Sequence, residues 1–190
     1  MNNIFLFVGC SGSGKTTIVE GLEKKYGLTS IQSYTTRPKR SQNETGHIFV
    51  NDEEFDSLSD IVAYTVFDRH RYCVTSQQID DNDLYVVDPV GVETLKRKYK
   101  GNKNMKVIFI YTNWLTRFTR MKHRSKLCGN SWFQATISSL KRILNDFKAF
   151  KNYDKNNVNI DLVVNNDKKN IDDVVEHIYQ YIISNEKEVM

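Results

Sequence analysis

Cysteine is scarce in this 190-residue chain: Cys10, Cys73 and Cys128 are odd in number, far apart, and form neither a Cys-x-x-Cys pair nor a Cys/His ligand pattern. That excludes a disulfide framework and a thiolate metal site, and leaves reduced thiols as the simplest reading. No apolar run approaches the roughly 18 residues a membrane helix needs. The opening Met-Asn-Asn-Ile-Phe-Leu-Phe lacks the basic stretch of a signal peptide, so the expectation is a cytoplasmic chain with no membrane partner. A net charge of +4 and a pI near 8.8 favour anionic substrates, but the lysines are dispersed rather than striped. No nucleic-acid partner is expected from such a surface. No internal repeat or low-complexity segment interrupts the sequence, and its length suits one α/β domain with small inserts on a common core.

The elements are legible in outline. Ile4 to Val8 is an apolar run ending at Gly9, and Thr16 to Tyr26 has helical spacing through Ile18, Val19 and Leu22, which reads as strand, loop, helix. Ser30 to Ser33 is a candidate strand. A polar stretch bearing Arg and Lys from Thr35 to Gly46 then leaves the core, and Phe49 with Val50, a capped helix at Asp52 to Leu58 and a strand at Ile61 to Phe67 bring it back. Leu84 to Val87 and Val107 to Tyr111 read as buried parallel strands, the first followed by a helix to about Tyr99. Helices are expected at Trp114 to His123 and Phe133 to Phe150, with a hinge-like linker at Ser125 to Ser131. A last strand at Leu162 to Val164 and an amphipathic helix at Ile171 to Ile183 complete the chain.

Gly9-Cys10-Ser11-Gly12-Ser13-Gly14-Lys15-Thr16 fits G-x-x-x-x-G-K-[ST] in full, between a strand and a helix. Such a loop aims successive backbone N–H groups at the phosphates of a nucleotide, and the helix behind it adds its positive N-terminus. Gly9, Ser11, Gly12, Ser13, Gly14, Lys15, Thr16 and Thr17 are therefore expected to bind ATP, with Lys15 supplying charge and Thr16 a magnesium ligand. Cys10 is read as a small filler rather than a nucleophile.

A phosphate loop names a donor but not an acceptor. In Ser33-Tyr34-Thr35-Thr36-Arg37-Pro38-Lys39-Arg40, two arginines flank a proline-stiffened turn and can offer two guanidinium forks to one phosphate. A solvated basic loop is the plainer alternative. This run, with Gly46-His47-Ile48-Phe49-Val50 and Glu53-Glu54-Phe55, resembles the guanylate kinase family. The resemblance implies that Ser33 contacts the base and that Arg37 and Arg40 bind the acceptor phosphate. Phe67-Asp68-Arg69-His70-Arg71-Tyr72-Cys73-Val74-Thr75 resembles a further segment of that family and puts Tyr72 at the place of a phosphate-binding tyrosine.

The chain also departs from the pattern. Ala63 stands where the family has a base-reading glutamate, Val74 replaces a hydroxyl residue, and His47 takes the place of a second phosphate-binding tyrosine. A carboxylate accepting from guanine N1 and N2 is a strong discriminator and alanine accepts nothing, so base selection is expected to be weaker or built differently. Asp88 ends a buried strand on the side where α/β ligands bind, with water-mediated magnesium binding, base contact and simple capping all open to it. Arg120 and Arg124, four apart on a helix face, resemble the family's lid arginines, and Arg142 a third. The segment Lys126 to Gln134 replaces its acidic stretch. Asn165 resembles an asparagine near the adenine.

Together these readings predict an α/β, P-loop NTPase three-layer fold with a parallel five-stranded core sheet, a small monophosphate-binding αβ insert and a helical lid. The expected core is 1–33, 75–112 and 158–190, the insert 34–74 and the lid 113–157. The expected activity is magnesium-dependent transfer of phosphate from ATP to a nucleoside 5′-monophosphate, GMP or dGMP favoured, by a monomer or homodimer. Lys15, Arg37, Arg120, Arg124 and Arg142 would stabilise the charge that develops on the transferring group. Two alternatives stay open: a kinase acting on another phosphorylated acceptor, and a catalytically silent nucleotide-binding module.

Overall fold

The computed structural model describes residues 1–39, 42, 44, 46–67, 69–127, 129–151, 159–167 and 170–187. Its first strand, β1 (Asn3–Val8), is buried along its whole length. Successive side chains point to opposite faces of a strand, so Ile4, Leu6 and Val8 feed one apolar cluster while Phe5 and Phe7 feed another. A strand apolar on both faces belongs in the middle of a covered parallel sheet. That is where β1 lies, between β6 (Leu84–Val86) and β7 (Asn104–Tyr111), with β8 (Leu162–Asn165) beyond β7 and all pairings parallel.

Among the described residues this sheet has four strands where five were expected. Ser30 makes a single parallel bridge to Leu84 at the outer edge of β6. The chain then departs at Ser33 to build a second, mixed sheet. There β2 (Ser33–Thr35) runs parallel to β3 (His47–Phe49) and antiparallel to β5 (His70–Thr75), which also pairs with β4 (Ile61–Phe67). β2 pairs with β3 and β5 instead, so the expected core strand contracts to the one bridge at Ser30.

Helices cover both faces of the core. α1 (Lys15–Tyr26) and α7 (Ile171–Lys187) put Ile18, Leu22, Val175 and Ile178 against Phe5 and Phe7. Lys25 and Tyr26 of α1 hydrogen-bond Glu176 of α7, and Tyr26 stacks on Tyr179 at 3.5 Å, which fixes the two helices side by side. On the other face lie α3 (Ser76–Asp81), contributing Ile79, and α4 (Pro89–Lys98), contributing Val92 and Leu95. The second sheet adds Val62, Ala63 and Val74 to that layer. The short α2 (Asp52–Asp56) is closed by a reciprocal cap between Asn51 and Glu54.

α5 (Trp114–Leu127) and α6 (Trp132–Lys151) stand at the C-terminal end of β7. α5 runs four residues past the expected His123, which shortens the expected linker. α6 turns Phe133, Ile137, Leu140, Leu144 and Phe147 to solvent and packs Ala135, Ser139, Ile143 and Asp146 inward.

Candidate functional site

The glycine-rich turn between β1 and α1 folds as its sequence demands. Gly12 (φ +78°) and Gly14 (φ +97°) adopt left-handed conformations that L-residues rarely take. A Cβ on Gly14 would also meet Asn166 Nδ2 at 2.4 Å. The loop is held from three directions through one carbonyl. Ser13 O accepts from Asn166 Nδ2 at 2.8 Å, Thr112 Oγ1 at 3.2 Å and Arg120 Nη1 at 3.4 Å, so the residues just past β8 and β7 and one from α5 all brace the same peptide.

Lys15 folds back over the loop and donates to the carbonyls of Gly9 (2.5 Å) and Cys10 (3.2 Å). Burial pushes its amine down to about 8, against a smaller upward pull from Asp146. A cavity of about 360 Å³ opens here, lined by Ser11, Gly12, Gly14, Lys15, Thr16, Thr17, Arg120, Met121, Arg124 and Arg142. Three arginines thus face the loop across a space of phosphate dimensions, though they come from two separate helices. Burial pushes the Cys10 thiol up as well, which keeps it protonated and unreactive at neutral pH.

A second cavity of about 350 Å³ joins the loop to the rest of the core. Gly9, Ser11 and Lys15 line one side, Thr65, Val86, Asp88 and Pro89 another, and Asn145, Asp146 and Phe150 of α6 a third. Asp88 serves first as the N-cap of α4, accepting from Gly91 N at 2.7 Å with Pro89 in the first turn, and its exposed carboxylate still faces this cavity. Among the described residues no group of three or more His, Cys, Asp or Glu side chains could hold a metal. Thr16 and Asp88, both exposed, are the residues here that could hold a magnesium ion brought in with phosphate oxygens.

The second sheet gathers the acceptor candidates. Ser33 Oγ lies 2.9 Å from His47 Nδ1, and the His47 ring meets Tyr72 edge-on at 5.6 Å. Arg37, only 8% exposed, lies over the Phe49 ring and donates to Pro38 O at 2.9 Å. Its fork grips Glu44 through two bonds of 2.8 and 3.2 Å, and that pairing with Glu44 raises its already high pKa further. Arg40 lies outside the described residues, as does Cys128. Ala63 is 3% exposed and belongs, with Val74, to the apolar core. Thr65, two residues on along the same face of β4, reaches the cavity instead.

Several participants escaped the sequence reading. Asn165 ends β8 exposed, with Oδ1 accepting from Asp167 N, while its neighbour Asn166 is buried against the loop. Thr112, Thr65 and Glu44 carried no motif. Arg117 and Asp146 were missed too, although Asp146 is the sole acidic residue in the sequences of α5 and α6.

Comparison with known proteins fits this geometry. No family model matches the chain. Over 59 residues it is 46% identical to the guanylate kinases of Neisseria gonorrhoeae and of Neisseria meningitidis serogroups A and B, a stretch covering 30% of this chain and 29% of each relative. The match therefore spans less than a third of the curated relatives. The fold is similar to that of guanylate kinase from Anaplasma phagocytophilum (TM-score 0.54, 14% identity, 96% of this chain and 86% of that one). It is also similar to an uncharacterized protein from Eubacterium ventriosum (TM-score 0.51, 17% identity, 96% and 99%). The chain is thus guanylate-kinase-like in fold and, over that stretch, in sequence.

Proposed function

We propose that the chain transfers the γ-phosphoryl group of ATP to a nucleoside 5′-monophosphate, with GMP or dGMP the first acceptors to test. One observation carries this reading. The phosphate loop with Lys15 borders a cavity that reaches Asp88 at the end of β6 and Thr65 of β4, in the sheet that carries Ser33, His47 and Tyr72. The likeness to guanylate kinases supports the acceptor class.

In this reading the loop N–H groups and Lys15 hold the donor phosphates, and Asn165 lies toward the adenine. Arg120, Arg124 and Arg142 neutralise the charge that spreads over the transferring group, and no protein nucleophile takes part. Ser33, Arg40, His47 and Tyr72 hold the acceptor, and Arg37 joins them when its fork leaves Glu44. Thr16 would hold a magnesium ion brought in with the phosphates, with Asp88 reaching it through water or contacting the base instead, and the ion would supply positive charge to the transferring group. The base-reading carboxylate expected at Ala63 is missing, and Thr65 is the polar group closest along that face of β4 to replace it. This favours a second reading, in which the acceptor is another monophosphate or a phosphorylated sugar.

A coupled assay of ADP release across GMP, dGMP, the other monophosphates and ribose bisphosphate decides between these. Turnover is expected with one of the purine monophosphates, and Lys15→Met should lower it by about 10²–10³-fold, as for loss of one preorganised charge stabiliser. A chain that binds ATP yet turns over none of these acceptors is a silent nucleotide-binding module instead.

A further inference from the structure

The phosphate loop is not left to solvent. Asp146, near the end of α6 and 9% exposed, puts its carboxylate on Ser11: Oδ2 accepts from Ser11 N at 2.9 Å, and Oδ1 from Ser11 Oγ at 2.9 Å. A carboxylate thus takes a backbone donor and a hydroxyl of the very loop whose sequence is built to cradle phosphate. The same carboxylate raises the proton affinity of buried Lys15, as a bound anion does.

We propose that Asp146 is an internal competitor for the donor phosphate, and that its displacement repositions α6 when nucleotide binds. This rests on the phosphate-loop reading of residues 9–16. A phosphate oxygen and the Asp146 carboxylate cannot share Ser11 N–H, and two anions about 3 Å apart repel strongly in so dry a site. Apart from those two bonds to Ser11 the competitor gains little. Its other partner, Arg117 of α5, lies 3.4 Å away, and Arg117 Nε is buried with no hydrogen-bond partner. A desolvated pair of such poor geometry adds little stability.

The helix supplies the exchange. Arg142 lies four residues before Asp146, one turn back on the same side of α6, and lines the cavity beside Lys15 and Thr16. An arriving phosphate repels Asp146 and attracts Arg142, which already faces the loop, so displacement of the carboxylate leaves the guanidinium as that helix face's contact with the anion. Apparent donor affinity is then the intrinsic affinity reduced by the fraction of molecules in which Asp146 is off the loop.

The test is equilibrium calorimetry of magnesium-free ADP, MgADP and inorganic pyrophosphate against wild type, Asp146→Asn, and the paired Arg117→Met/Asp146→Leu variant. The paired variant removes the buried charges together and guards against a single variant that fails to fold. Both variants should bind magnesium-free ADP and pyrophosphate about tenfold more tightly than wild type, while adenosine, which lacks phosphate, binds all three alike. Equal or weaker binding of pyrophosphate by folded variants overturns the proposal and leaves the nucleotide reading intact. Weaker MgADP binding with unchanged magnesium-free ADP assigns the carboxylate to the metal and also overturns it. If wild type and variants all fail to bind ADP and pyrophosphate, the phosphate-loop reading falls too.

Discussion

Lys15 carries more of the donor site's behaviour than its position in a motif suggests. Folded, its amine is held at about 8, whereas the free side chain titrates near 10.4. Between those values the unfolded chain binds the extra proton. The group therefore destabilises the fold fully below pH 8, and the penalty fades as pH rises toward 10. A polyphosphate beside the amine restores its proton affinity, so ADP binding should take up a proton near pH 8 and weaken as pH rises further. Calorimetry at pH 8 in two buffers of different ionisation heat checks this, and identical apparent enthalpies would refute it. Residue identity was legible here because the loop's chemistry is written in consecutive positions. Asp146, Asn166 and Thr65 were illegible for the opposite reason: each reaches the site from a separate element, and their meeting is a product of the fold. Asn165 is expected near the adenine from the family resemblance, whereas Asn166, which carried no motif, is the one that turns inward to brace the loop.

At the scale of elements, the parallel strands declared themselves as short apolar runs, and β4 emerges at its expected bounds, Ile61–Phe67. β5 did not, because His70, Arg71 and Tyr72 make its first half polar, and its stability comes from pairing on both sides. α3 has one buried apolar residue, Ile79, too few to set a helical period. α4 offers a clean separation of structure from chemistry. Asp88→Ala removes its N-cap and should cost about 1 kcal/mol, lowering the melting temperature by about 2–4 °C. Asp88→Asn keeps a capping oxygen and should melt within about 1 °C of wild type. Turnover by the asparagine variant then reports on the carboxylate's charge alone, and it should fall if Asp88 acts on magnesium or base. Full activity with a normal melting curve would reduce Asp88 to a cap.

For the molecule as a whole, the central sheet separates two apolar clusters that share β1, so stability should be sensitive to that strand from either side. Phe7→Ala deletes a fully buried ring packed with α1 and α7, and should cost about 3–5 kcal/mol in urea denaturation, a large part of a typical domain's 5–15. A loss below about 1 kcal/mol would mean that the α1–α7 face is not a cooperative part of the core. The three braces on Ser13 O have a consequence of a different kind. With Thr112, Asn166 and Arg120 immobilising that peptide before any nucleotide arrives, the ordering entropy of the loop is spent during folding rather than at binding. Any heat-capacity or entropy signature that accompanies pyrophosphate uptake should therefore originate chiefly in the α5–α6 hairpin, with backbone amide exchange in residues 9–14 slowed only at the N–H groups that donate to the anion.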